Sequence, residues 1–159
     1  MQTKSHKIAI SLGGNLGDSE AIFASAIKLL GDGGLEKIKF SSLFCSKAEN
    51  CPPNSPNFIN AAIIGKWQNS PQELLDLCQK IEVLTGRPHE HGFNEPRTLD
   101  LDIILFDSEI INLPNLQIPH PLATKRLFVL KPLVEIAPDW IFPDSNKTAK
   151  QILQSFYND

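Results

Sequence analysis

Twelve prolines in 159 residues, bunched between Pro52 and Pro56 and again between Pro114 and Pro143, exclude a long uniform helical bundle. Each proline removes a backbone donor and fixes φ, so such clusters mark ordered loops between short elements. Between them, the apolar periodicity switches repeatedly. Ile8 to Leu12 is an apolar run that meets Gly13-Gly14-Asn15-Leu16-Gly17-Asp18 at once, which predicts a strand, a tight turn and a helix. That helix is expected over about Ser19 to Leu30, with Ile22, Ala26 and Leu29 on one stripe and Phe23, Ile27 and Leu30 beside it. Ile38 and Phe40 alternate with Lys37 and Lys39 as a half-exposed strand. A third strand is expected over Phe58 to Trp67.

Ser70-Pro71-Gln72-Glu73 is a strong helix start: a capping serine, proline in the first turn and a glutamate completing the box. Its inward residues are expected to be Leu74, Leu77, Cys78, Ile81 and Leu84, with an end at Gly86. Leu99 to Phe106 reads as a fourth strand turned by Asp107-Ser108 toward Ile110-Ile111. A helix interrupted at Pro132 and a short one near Thr148 to Phe156 complete the chain. Strands and helices interleave without regular βαβ repeats, so the expected class is α+β with a mixed or antiparallel sheet, as one domain over 1–159.

A balance of 15 Lys+Arg against 18 Asp+Glu, net charge -3, argues against a nucleic-acid polymer as partner. One small polyanion remains compatible, because a metal or a few arginines supply charge locally. No apolar run approaches the ~20 residues of a membrane span. Met1 to Lys7 is polar and lacks a signal-peptide core. Cys45, Cys51 and Cys78 cannot all pair, so a reduced, cytoplasmic setting is expected. Oligomeric state stays open, a monomer being the simpler expectation.

The sharpest chemical signal is Arg97-Thr98-Leu99-Asp100-Leu101-Asp102-Ile103. On a strand Asp100 and Asp102 leave one face, with Cα atoms ~6.6 Å apart at the usual rise, and Leu99, Leu101 and Ile103 leave the other. Such a pair suits hard divalent ions beside a polyphosphate, although a bare acidic strand face has the same spacing. Arg87 and Arg97 bracket a loop and could close on phosphate oxygens, or could be ordinary surface charges. His89-Glu90-His91 lacks the spacing of a zinc site. The glycine turn is neither GxGxxG nor a phosphate loop and is expected to serve as a turn. Phe58 and Asn60 share a strand face, so a ring and an amide could meet a flat heterocycle, or could be a core residue and a turn residue. Gln79 and Glu82 lie i, i+3 on their helix, which solvated helix polarity explains equally well. His120 with Arg126 could meet phosphate or simply cap a loop.

Several separated segments, in order, resemble one family: Ser11-Leu12-Gly13-Gly14-Asn15-Leu16-Gly17-Asp18, Phe58-Ile59-Asn60-Ala61-Ala62, Gly86-Arg87, Pro96-Arg97-Thr98-Leu99-Asp100-Leu101-Asp102-Ile103, Ile118-Pro119-His120-Pro121 and Pro132-Leu133-Val134-Glu135-Ile136-Ala137-Pro138. The chain is similar, from Ile8 to about Leu153, to 6-hydroxymethyl-7,8-dihydropterin pyrophosphokinase of folate biosynthesis. The resemblance implies a ferredoxin-like α+β fold and transfer of diphosphate from ATP to the pterin hydroxymethyl group, releasing AMP. It implies two Mg2+ ions on Asp100 and Asp102, with Arg87 and Arg97 assisting transfer at the ATP phosphates. Further ATP contacts are implied at Gln79, His120 and Arg126, and a pterin pocket at Ser46, Phe58, Asn60, Asp100 and Phe128.

The chain departs from the family between the two arginines. Many members carry basic residues and a sealing tryptophan there, where this chain has His89, Glu90, His91, Phe93, Asn94 and Glu95. Either Phe93 serves as the seal or there is none, and the acidic residues predict a loop slower to close on ATP. Two other readings remain: a pterin- or nucleotide-binding homologue with weakened turnover, and a metal-dependent hydrolase using the aspartates and the histidine pair.

Overall fold

The computed structural model describes residues 4–14, 18–46, 58–85 and 99–157. Its centre is an antiparallel sheet built from β1 (His6–Gly14), β2 (Glu36–Phe40), β3 (Phe44–Ser46), β4 (Phe58–Trp67) and β5 (Asp100–Phe106). The order across it is β2-β4-β1-β5, and β3 continues the line of β2 along the same edge of β4. Helices α1 (Ser19–Asp32) and α2 (Pro71–Leu84) follow β1 and β4, so the first part of the chain has the ferredoxin-like β-α-β-β-α-β arrangement. A two-stranded unit, β6 (Ile111–Leu113) with β7 (Leu116–Ile118), comes next. Then follow a 3-10 turn at Ala123–Lys125, α3 (Leu127–Ile136), the pair β8 (Ile141–Phe142) and β9 (Lys147–Thr148), and α4 (Ala149–Ser155). Among the described residues no helix is long and apolar enough to cross a membrane.

Alternation along β1 divides the molecule. Ile8, Ile10 and Leu12, all fully buried, join Phe23, Ala26 and Leu30 of α1, Leu74, Cys78 and Ile81 of α2, and Leu101 and Ile103 of β5 in one core. Ala9 points the other way, into a second core with Ala62, Leu130, Leu133 and Ile136, which α3 and α4 cover. The sheet is thus the middle of three layers. Near its Ala9/Ile10 register shift, β5 gains one residue against β1, and both Ile104 and Leu105 enter the second core.

Local signals set the element starts. Ser70 caps α2 by accepting from Glu73 N, and Glu73 returns the bond to the Ser70 backbone. Thr148 and Gln151 repeat the device at α4.

Several expectations are corrected. Gly13 and Gly14 belong to β1, paired with Asn60 and Ile59, rather than to the turn. Phe40 does not pack inward; it is 61% exposed at the outer edge. Ile111 pairs with Ile118 rather than with the fourth strand. On α2, Leu84 is exposed and Glu82 is buried, because the helix's last turn lies beside β5. Helix α3 runs through Pro132, which is buried in the second core layer's helix. The missing donor of Pro132 costs one helical hydrogen bond, and the flanking apolar packing of Val129, Leu130, Leu133 and Ile136 outweighs it.

Candidate active site

Directly paired residues of antiparallel strands share a face, so register alone assembles a site. One row runs Asp100–Gly13–Asn60–Phe44 across β5, β1, β4 and β3, and the row beside it runs Asp102–Ser11–Ala62. A third pair, Ser46 with Phe58, extends the patch at the β3/β4 edge. All lie on the face covered by α3, on which Ala9 and Ala62 enter the second core. The middle of this surface is made of small side chains, which leave a shallow floor.

Asn60 is only 3% exposed. Its Nδ2 donates to Ser46 Oγ at 2.8 Å and more weakly toward Phe44 O at 3.5 Å. That bond leaves Oδ1, which takes no hydrogen bond from the described residues, as an acceptor turned toward Gly13. A Cβ on Gly13 would sit 3.3 Å from Asn60 Oδ1, so the glycine leaves room beside the amide. The sequence places Gly13 in a turn, whereas its strand register sets it between Asn60 and Asp100.

Asp100 is half-buried and Asp102 exposed, and both make further interactions within the protein. As hard oxygen donors two residues apart on one face, they fit one or two Mg2+ ions, which take few protein carboxylates and complete their shells with phosphate and water. Glu82, 9% exposed, accepts from the Leu101 N–H between them at 2.8 Å and so covers the outer edge of β5. Burial, with the charges of Glu82 and Asp102 adding to it, pushes the Cys78 thiol up to about 12, so that cysteine is an inert packing group. Cys45, exposed, and Cys78 are both free thiols; Cys51 lies outside the described residues.

The outer edge of β5 also positions His120, whose backbone N–H donates to Ile104 O at 3.1 Å, just after a cis Ile118–Pro119 peptide. Burial lowers the His120 pKa; the Asp102 charge opposes that and the Arg126 charge reinforces it. His120 is therefore neutral near pH 7. Its Nδ1 accepts from Leu122 N at 3.2 Å, which puts the ring proton on Nε2 as a donor. Arg126, at the start of α3, stacks its guanidinium over the Phe128 ring at 5.4 Å.

Asp100, Asp102, Ser46, Phe58, Asn60, His120, Arg126 and Phe128 thus gather on or beside one sheet face. Gln79 stands apart, exposed on α2 in the opposite layer, one turn before Glu82. Arg87 and Arg97, with His89, Glu90, His91, Phe93, Asn94 and Glu95, lie outside the described residues.

Among the described residues one cluster of three His, Cys, Asp or Glu has ligand atoms within 4.8 Å: His6, Asp107 and Glu109, at the other end of β1 and β5. There Asp107 already accepts from His6 Nδ1 at 2.6 Å and from Lys7 N at 2.7 Å, so it ties two strands together.

Comparison with known proteins points to one family. A family model described as 7,8-dihydro-6-hydroxymethylpterin-pyrophosphokinase (HPPK) matches residues 9–138. The 2-amino-4-hydroxy-6-hydroxymethyldihydropteridine pyrophosphokinase of Synechocystis sp. is 39% identical over 150 residues, covering 94% of this chain and 75% of the relative. The protein of the same name from Aquifex aeolicus is 37% identical over 144 residues, covering 91% and 88%. Wild-type HPPK-DHPS of Plasmodium falciparum superposes with a TM-score of 0.74 over 98% of this chain at 16% identity, a likeness of fold. The chain spans 45% of that solved chain.

Proposed function

The chain belongs to the 7,8-dihydro-6-hydroxymethylpterin-pyrophosphokinase family, and from that premise we propose that it transfers diphosphate from ATP to 6-hydroxymethyl-7,8-dihydropterin. The hydroxymethyl oxygen bonds to the β-phosphorus, the bond from that phosphorus to the α,β-bridging oxygen breaks, AMP leaves and the hydroxyl proton is released. In such phosphoryl chemistry the protein's work is positioning and charge neutralisation.

The observation that carries this reading is the row Asp100–Gly13–Asn60, which sets a carboxylate and an amide two strands apart on one open floor. Asn60 Oδ1 accepts from a ring N–H while Ser46 holds the amide's orientation. Phe58 and Phe128 stack on the ring faces. Asp100 and Asp102 would hold the two Mg2+ ions, which when bound supply neutralisation of phosphate charge and polarise the attacking hydroxyl. Neutral His120 donates from Nε2 to a phosphate oxygen and Arg126 adds a fixed positive charge. The family resemblance assigns Arg87 and Arg97 to the ATP phosphates and Gln79, on the opposite layer, to the nucleotide.

The test incubates the protein with ATP, Mg2+ and the hydroxymethyl dihydropterin and follows AMP. AMP formed only when pterin is present is the expected result. Phosphate release without AMP would identify a hydrolase, and silence a binding protein; either overturns the reading.

A further inference from the structure

The edge formed by β2 and β3 carries a surplus residue between Phe40 and Phe44. From Phe40, opposite Ile63, to Phe44, opposite Asn60, the edge chain advances four residues while β4 advances three. The surplus is a bulge, and its position decides which residue of β3 faces Asn60. Ser41 still pairs with β4: its N–H donates to Ala62 O at 2.9 Å and its hydroxyl accepts from Ala62 N at 2.9 Å. Ser42 does not. Its N–H donates to Glu135 Oε1 and its hydroxyl to Glu135 Oε2, both at 2.7 Å. A bulged residue has no partner on the neighbouring strand, and here a carboxylate from another layer takes both of its donors. Those two bonds hold the Glu135 carboxyl below the ordinary carboxylate range.

Glu135 lies seven residues after Phe128 on α3, two helical turns along nearly the same stripe. One helix therefore carries both the aromatic residue and the clamp on the segment that leads into Ser46. We propose that Glu135 is a positioning residue for the heterocycle: it pins the bulge at Ser42, and so fixes Ser46 against Asn60 and the β3 wall of the pocket against α3. The role rests on the pterin reading given above, and Glu135 itself touches no substrate. A bulge free to shift by one residue would turn Ser46 away from Asn60, leaving the amide able to rotate and the pterin edge poorly read.

Because the side chain is exposed, Glu135→Ala should fold as the wild type does. The expected result is a roughly five- to tenfold rise in the KM and Kd for the hydroxymethyl dihydropterin, with kcat and ATP affinity within about twofold of wild type. Glu135→Gln should recover most of the loss, since its amide can accept from Ser42 N and donate to Ser42 Oγ. Ser42→Ala combined with Glu135→Ala should bind pterin no worse than Glu135→Ala alone, as expected of one shared interaction. Unchanged pterin affinity in Glu135→Ala, an equal loss for ATP, no recovery with Gln, or additive effects in the double variant would each overturn the clamp. A wild type that forms no AMP would overturn the functional reading and this one together, whereas an active wild type with an insensitive Glu135→Ala overturns the clamp alone.

Discussion

The two faces of β1 are built from the same nine-residue strand and do opposite work. Ile8, Ile10 and Leu12 present large aliphatic groups to α1 and α2 and are fully buried. Ala9, Ser11 and Gly13 present almost nothing. Their small size lets α3 come close at one end and leaves a floor between Asn60 and Asp100 at the other. Large side chains fill the first face along its whole length, whereas the second shares its length between a core and the candidate site, since a site needs space and exposed polar atoms that a core excludes.

Substitutions can separate the two. The largest expected effect is on the open face: Asp102→Ala should lower AMP formation roughly a thousandfold or more, by removing a carboxylate proposed to hold metal, with little change in Tm because the side chain is exposed. Wild-type turnover in that variant would sink the metal assignment. On the closed face, Ile10→Ala should cost about 3 kcal/mol in urea unfolding through the cavity it leaves, while kcat per folded molecule stays near wild type. A large loss of kcat in the folded fraction would mean that the faces are coupled. Gly13→Ala should be subtler, weakening pterin binding roughly tenfold by crowding Asn60 Oδ1 while ATP binding is untouched; equal losses for both ligands would refute the floor.

The smallest effect lies at the far end of the strand pair. Burial pushes the Asp107 carboxyl up, but the hydrogen bonds from His6 and from Lys7 N, with the His6 and Lys4 charges, outweigh it and hold it below its ordinary value. As pH falls, the unfolded chain then takes up this proton first. The stability that Asp107 provides is complete above about pH 4 and drains away as pH drops through the lowered native value. Tm measured against pH should fall less steeply below pH 4 in Asp107→Asn than in the wild type, and an unchanged slope would show that this tie is energetically silent.

Much of this was readable in the chain. The capping box at Ser70 and Glu73 and the strand Phe58–Trp67 appear where local chemistry puts them. So does the shared face of Asp100 and Asp102, which needs only the two-residue period of a strand. Glu82 was not legible: at i+3 from Gln79 it looks like helix polarity, and only the approach of α2 to β5 turns it into the partner of Leu101 N. The same holds for Glu135, whose partner Ser42 is 93 residues away. Pro132 misled in the other direction, because a local rule against helical proline gave way to packing around α3.

The sequence by itself therefore determined the long strands and helices, the cap of α2, the acidic pair and the family, all of which rest on neighbours within a turn or on strand periodicity. The tertiary structure decided which strands are adjacent, and hence that Gly13 stands between Asn60 and Asp100 and that a bulge at Ser42 meets a carboxylate of α3. The physical reason is range. Backbone propensities act over a few residues, whereas register and the pairing of buried or surplus donors are settled only when distant segments pack and each polar group must find a partner.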